Sequence, residues 1–153
     1  MAPKLKILYL CTGNSCRSQM AEGWTRALKG DSIEPYSAGI ETHGLNQTAV
    51  EVMAEGGVDI SRHTSKHIDS LRDMTFDGVI TVCDNARETC PFLPGAQKKL
   101  HVGFTDPPAM AKELASKGAD LEEQRNCYRL VRDEIRAFVE TLPDSLDRQE
   151  NSE

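Results

Sequence analysis

Apolar residues gather in four short runs, and between the runs their spacing changes to that of helices. Residues 5–10 (LKILYL) form the first run, which reads as a strand ending at Cys11. From Arg17 onward Met20, Ala21, Trp24 and Leu28 recur at helical spacing, with Lys29-Gly30 as a stop signal. Met20 and Trp24 are expected in the core. Residues 33–39 read as a second strand, placed at a sheet edge by Pro35, which donates no ladder hydrogen bond. Residues 46–55 predict a helix capped by Asn46 and ended by Gly56-Gly57. A polar connection with a short helix at 66–71 leads to the β-branched run 78–82, the best candidate for a central strand.

Residues 99–104 give a fourth strand, and Thr105-Asp106-Pro107-Pro108 opens a helix over 109–117 that Gly118 stops. The last helix, 121–142, places Cys127, Leu130, Val131, Ile135, Phe138, Val139 and Leu142 on one face. Pro143 closes it. Strands joined by helices in this order predict parallel crossovers, hence an α/β fold. The expected division is one catalytic domain over 1–143 and a frayed polar tail over 144–153.

With 153 residues the chain suits one domain with a real core. A formal net charge of -6 argues against a nucleic-acid or membrane-surface binder, so an anionic ligand must be held by local geometry. No stretch reads as a cleavable signal or a membrane span, which leads to the expectation of a soluble, cytoplasmic monomer. Five cysteines in such a chain point to thiol chemistry or metal rather than a disulfide framework.

The chemistry concentrates where the first strand meets the first helix. A strand, the loop Thr12-Gly13-Asn14-Ser15-Cys16 and a helix start at Arg17 make an anion cradle. The first N–H groups of a helix lack intrahelical acceptors, and the macrodipole adds positive charge there. Cys11 faces those donors, so its thiol is expected to be acidified toward the nucleophilic thiolate. Arg17 offers a planar fork to two oxygens of one anion, Gly13 allows close backbone approach, and Ser18 could donate its hydroxyl to the thiolate. Cys16 is expected to pack the loop.

A second thiol pair, Cys83 and Cys90, precedes Pro91. Zinc pairs use spacings of about two to four residues, so metal is the weaker reading and a redox pair the stronger. If the segment between them is helical, the two Cα atoms lie roughly 10 Å apart along the axis, beyond the limit of about 7 Å for a disulfide. Oxidation would then have to remodel the segment. His63 and His67, four apart, read as solvated rather than metal-bound. Asp106 reads first as a helix cap, yet beside an oxyanion cradle it also offers an acid for a departing oxygen.

Together these residues resemble the low-molecular-weight protein tyrosine phosphatase superfamily, and within it the thioredoxin-coupled arsenate reductases. The resemblance rests on the C-x5-R loop with Ser18, on VCDNARETCP, and on Ser18-Gln19-Met20 where phosphatases continue Ser-Pro. The tyrosine pair that follows the acidic Asp-Pro in phosphatases is missing here. The resemblance implies a three-layer α/β fold with a central four-stranded parallel sheet flanked by helices. It further implies reduction of arsenate to arsenite by a relay of Cys11, Cys83 and Cys90. Arg17 and the loop would hold the anion, Asp106 would protonate the leaving oxygen, and thioredoxin or a similar dithiol would reset the enzyme. A phosphotyrosine hydrolase is the alternative. Some such reductases hold potassium through residues matching Asn14, Glu22 and Ser37 with an Asp after a Thr-Ser pair. Here Lys66 follows Thr64-Ser65, so an ammonium is expected to take the cation's place, with no cofactor and no potassium dependence.

Overall fold

The structure is a computed structural model, and it describes residues 3–83 and 98–146. Four strands form one parallel sheet: β1 (Leu5–Cys11), β2 (Ile33–Gly39), β3 (Gly78–Thr81) and β4 (Lys98–His101), in the order β2-β1-β3-β4. β1 is interior, and Ile7, Leu8, Tyr9 and Leu10 are all fully buried although they alternate between its two faces. Both faces of the sheet are therefore covered, which is why the run carries no polar alternation. β2 lies at an edge, as Pro35 requires.

Among the described residues four α-helices flank the sheet: α1 (Arg17–Lys29), α2 (Gln47–Glu55), α3 (Pro107–Ser116) and α4 (Leu121–Val139). Asn46 caps α2 as expected, its Oδ1 accepting from Ala49 N at 3.0 Å. Tyr9 ties β1 to α1 through a 2.6 Å hydroxyl contact with Thr25. Trp24 ties α1 to α4, its indole N–H reaching Arg132 O at 3.1 Å.

Several boundaries differ from the sequence reading, each for a physical reason. The short helix is a 3-10 turn over Ile68–Leu71. β4 ends at His101, yet Val102 N and Phe104 N still reach Thr81 O and Val82 O, so its continuation stays against β3 in irregular form. α3 begins at Pro107, because two prolines preset helical φ where no N–H is needed. The buried stripe of α4 runs through Cys127, Tyr128, Val131, Ile135 and Val139, which turns Leu130 outward at 61% exposure. Leu28 is likewise on the outer side of α1. Beyond the Leu142-Pro143 bond the chain folds back, and Leu146 is buried against Gly78 of β3.

Candidate active site

The loop between β1 and α1 is shaped by where its carbonyls go. Cys11 O accepts from Ile40 N, Thr12 O from Glu41 N, Gly13 O from His43 N and Ser65 Oγ, Ser15 O from Asn46 N, and Cys16 O from Met20 N. Asn14 O accepts from Gln19 Nε2 at 3.1 Å. Every carbonyl from Cys11 to Cys16 is thus drawn to a partner around the loop. Planarity turns the N–H groups on the opposite edges of those peptides the other way, toward the concave side. α1 adds its own N-terminus, with no side-chain cap and no acidic residue in the first turn to neutralise it.

Two glycines permit this packing. A Cβ on Gly39 would come within 2.7 Å of Asn14 N and 2.8 Å of Thr12 O, so the end of β2 can lie against the loop only as glycine. A Cβ on Gly13 would overlap the ring of His43.

The resulting cavity of about 340 Å³ is lined by Cys11, Thr12, Gly13, Ser15, Cys16 and Arg17, with His43, Asn46, Asp106 and Pro108 closing its rim. The structure brings together Cys11 and Arg17 of one loop and Asp106 from a distant stretch. Arg17 Nη1 donates to Phe104 O at 2.9 Å, and Nη2 lies 3.8 Å from Asp106 Oδ1. The guanidinium is 12% exposed and the Asp106 carboxylate 46%. Asp106 occupies the N-cap position of α3 without making a side-chain cap bond, contrary to the cap reading. Pro107 and Pro108 leave fewer N–H groups to cap, so the carboxylate faces the cavity instead.

Cys83 is next to the nucleophile. Its sulfur lies 3.1 Å from Thr12 Oγ1, and its interaction with Cys11 is the largest influence on that thiol. Cys11, Cys16, Cys83 and Cys127 are all buried thiols outside any disulfide. The expected acidification of Cys11 is not what this arrangement produces. The Cys83 hydrogen bond and burial raise its pKa, against the lowering influence of Arg17 and the Thr12 N–H. Burial also pushes Cys16 up to about 12. Cys90 and the spacing argument about its segment lie outside the described residues.

Ser18 and Asn14 do not line the cavity. Ser18 Oγ accepts from Asn14 Nδ2 at 2.9 Å and so braces the loop. Asn14 holds a left-handed φ of 46°, and its Oδ1 accepts from Lys66 N at 2.7 Å and Gln19 Nε2 at 3.1 Å. Gln19 also donates to Thr64 O and accepts from His63 Nδ1 at 2.9 Å. An Arg only donates, so His63 Nε2 accepts from Arg26 Nη1 at 3.0 Å and Nδ1 carries the hydrogen. His63 is therefore a neutral, largely buried brace rather than a solvated residue, and burial lowers its pKa. His67 is exposed, and its Nδ1 accepts from Asp69 N.

Gln19→Ala leaves several of these buried groups without partners. It is expected to lower the unfolding free energy by about 2 kcal/mol; a urea midpoint equal to wild type would contradict this.

The residues matching a potassium site are Asn14, Glu22 and Ser37, and they do not fit a cation here. Glu22 Oε1 accepts from Ser37 Oγ at 2.6 Å and Oε2 from Arg26 Nη2 at 2.7 Å, while Asn14 Oδ1 already takes two N–H groups. The positive charge at Glu22 comes from Arg26. Lys66 reaches Thr64 O instead, at 2.9 Å, so the expectation for its ammonium is corrected. Turnover at constant ionic strength is expected to be the same in potassium and sodium, and a several-fold activation by potassium would contradict this reading.

Sequence reasoning missed Gln19 and Arg26, whose partners only the fold supplies. His43 and Asn46 had a signal. They follow the C-terminal end of β2, and ligands of open α/β sheets bind beyond the carboxyl ends of strands.

The model of the low molecular weight phosphotyrosine protein phosphatase family matches residues 6–152. The chain belongs to this family. Among its relatives an arsenate reductase of Halalkalibacterium halodurans is 46% identical over 142 residues, covering 93% of this chain and 97% of its own. A solved arsenate reductase in the phosphate binding state superposes with a TM-score of 0.71 at 29% identity, over 93% of this chain and 98% of that one. A solved low molecular weight protein tyrosine phosphatase from T. tengcongensis gives 0.67 at 26% identity, over 94% and 100%. The four-stranded parallel sheet flanked by helices is thus the family's fold. Among the described residues no helix is long and apolar enough to cross a membrane, and no cluster of three His, Cys, Asp or Glu side chains converges to hold a metal.

Proposed function

We propose that this phosphatase-family member is an arsenate reductase that converts arsenate to arsenite through Cys11, Cys83 and Cys90. The observation that carries the reading is the buried Cys83 thiol beside the anion cradle, 3.1 Å from Thr12 Oγ1 and acting on Cys11. Hydrolysis of a phosphoester needs a nucleophile, a cradle and an acid, and gives a second sulfur at that spot no work. The names of relatives such as the H. halodurans protein support the same choice.

The steps balance as follows. Arsenate sits against the loop N–H groups and Arg17. Cys11, held as a thiol, transfers its proton to an arsenate oxygen, which makes the thiolate and improves the leaving group together. The thiolate attacks arsenic, an S–As bond forms, and an As–O bond breaks, with Asp106 relaying to the departing water the proton that hydrogen arsenate brings. Cys83 then attacks the Cys11 sulfur. The S–S bond forms, the S–As bond breaks, and the electron pair stays on arsenic, which leaves as arsenite. Cys90 attacks Cys83, frees Cys11, and leaves a Cys83 to Cys90 disulfide for an external dithiol such as thioredoxin to reduce. The enzyme is read as a cytoplasmic monomer with a catalytic domain over 1–143.

Arsenate-dependent oxidation of thioredoxin over many turnovers is the expected result. Aryl phosphate hydrolysis that survives removal of both Cys83 and Cys90, with no arsenate activity, would replace this reading with a hydrolase.

A further inference from the structure

His43 is a part of the cavity wall for which the thiol relay has no task. Three contacts hold it. Its backbone N–H donates to Gly13 O at 3.0 Å, its ring fills the space that a Gly13 side chain would take, and its Nε2 lies 2.7 Å from Glu41 Oε2. A carboxylate accepts and does not donate, so Nε2 carries the hydrogen, and Nδ1 is the atom that gains or loses a proton. Nδ1 is also the ring atom nearest the Gly13 side of the loop. The ring is thus held against the Gly13 side of the loop at the cavity wall, while the side chain as a whole is 53% exposed.

The charges on the cavity wall leave a gap that this ring can fill. Among the described lining residues Arg17 is the permanent cation and Asp106 the carboxylate, and their charges cancel. The chain as a whole carries -6, so an anion must be drawn by local charge. Protonation of His43 adds one positive charge to this wall, opposed by the Glu41 carboxylate 2.7 Å from the ring, and a tetrahedral dianion gains from it beyond what the loop N–H groups and Arg17 supply. The neutral ring instead presents a lone pair, which repels a bare oxyanion oxygen.

We propose that His43 determines the pocket's affinity and charge preference for tetrahedral oxyanions, its protonated ring serving as a second cation beside Arg17. The inference rests on the oxyanion pocket of the proposed function but not on the thiol relay. Neighbouring groups that bear on its titration are Glu41 in its own loop, Cys11 from β1, Cys16 and Arg17 at the start of α1, and Asp106 at the start of α3. Cys11 and Cys16 are both shifted upward and remain thiols through neutral pH.

Sulfate is the probe of choice because its charge is constant through neutral pH, so any change in its binding comes from the protein. Calorimetric titration of the full chain is expected to show sulfate affinity falling about tenfold between about pH 5 and pH 8, the range in which histidine loses its charge. His43→Asn puts a hydrogen-bonding amide that does not titrate near the position of Nδ1, and its sulfate affinity is expected to be flat over that range. Linkage supplies a readout without mutation. Saturating sulfate must raise the His43 titration midpoint, followed by NMR of the ring protons, by about one pH unit for the same tenfold effect. A pH dependence that persists in His43→Asn, or a His43 midpoint that sulfate does not move, overturns the proposal. Absence of sulfate binding at every pH removes the oxyanion pocket itself, and this inference with it. Sulfate binding with the expected pH profile in a chain that does not reduce arsenate would leave His43's role standing and sink only the relay.

Discussion

Cys83→Ser is expected to lose all multiple turnover of arsenate with a dithiol reductant while keeping weak hydrolysis of an aryl phosphate. Attack on a phosphoester or arsenate needs the Cys11 sulfur, the cradle and an acid, none of which the substitution removes. Release of arsenite needs a second sulfur within reach of Cys11, and Cys83 is the thiol whose interaction dominates the Cys11 pKa. The substitution also has a pH signature. The Cys83 contact is the largest influence raising the Cys11 pKa, and a serine hydroxyl in its place donates to a thiolate and stabilises it. The Cys11 pKa therefore falls. At a pH below that value the thiolate fraction grows about tenfold for each unit of the fall. Alkylation of Cys11 by iodoacetamide should begin at lower pH in the variant than in wild type. Sustained reductant-coupled turnover, or an alkylation profile that stays in place, would contradict the role given to Cys83.

The second large effect belongs to Arg17→Lys. The charge survives this change, but the fork does not. Arg17 divides its donors between Phe104 O, which anchors it to the irregular segment following β4, and the cavity beside Asp106. A lysine ammonium cannot hold a backbone anchor and two oxygens of one anion in a plane. Losing a preorganised donor at an oxyanion site costs about 10² to 10³ in rate. A fall of that size in kcat/KM for arsenate is expected. A loss of less than about tenfold would mean that the loop N–H groups bind the anion without the guanidinium.

The sequence was most readable where one local rule decides the outcome. The uninterrupted run before Cys11 gave β1, Pro35 gave an edge strand, and Asn46 gave the cap of α2. The C-x5-R spacing likewise put Cys11 and Arg17 on one cradle, because both lie on the same short loop. Legibility ended where distant residues compete for one atom. Local field arguments favoured an acidic Cys11, since the helix terminus and Arg17 are its sequence neighbours. The outcome turns on Cys83, delivered to the same place by β3. Asp106 shows the reverse case. Its sequence context allowed a cap, and only the fold shows the carboxylate turned to the cavity rather than to its own helix. The brace through Gln19, His63 and Arg26 had no sequence signal, because each partner is chosen by packing between α1 and the connection after α2.

Reduction is carried by a sulfur relay beginning at Cys11 in the function proposed above. Mass mapping of disulfides after a single arsenate turnover, with no external reductant present, tests it most directly. Wild type should hold a Cys83 to Cys90 disulfide with Cys11 returned to the thiol, and Cys90→Ser should stop at a Cys11 to Cys83 disulfide. Arsenite formed while Cys83 remains a thiol in either protein would contradict the relay.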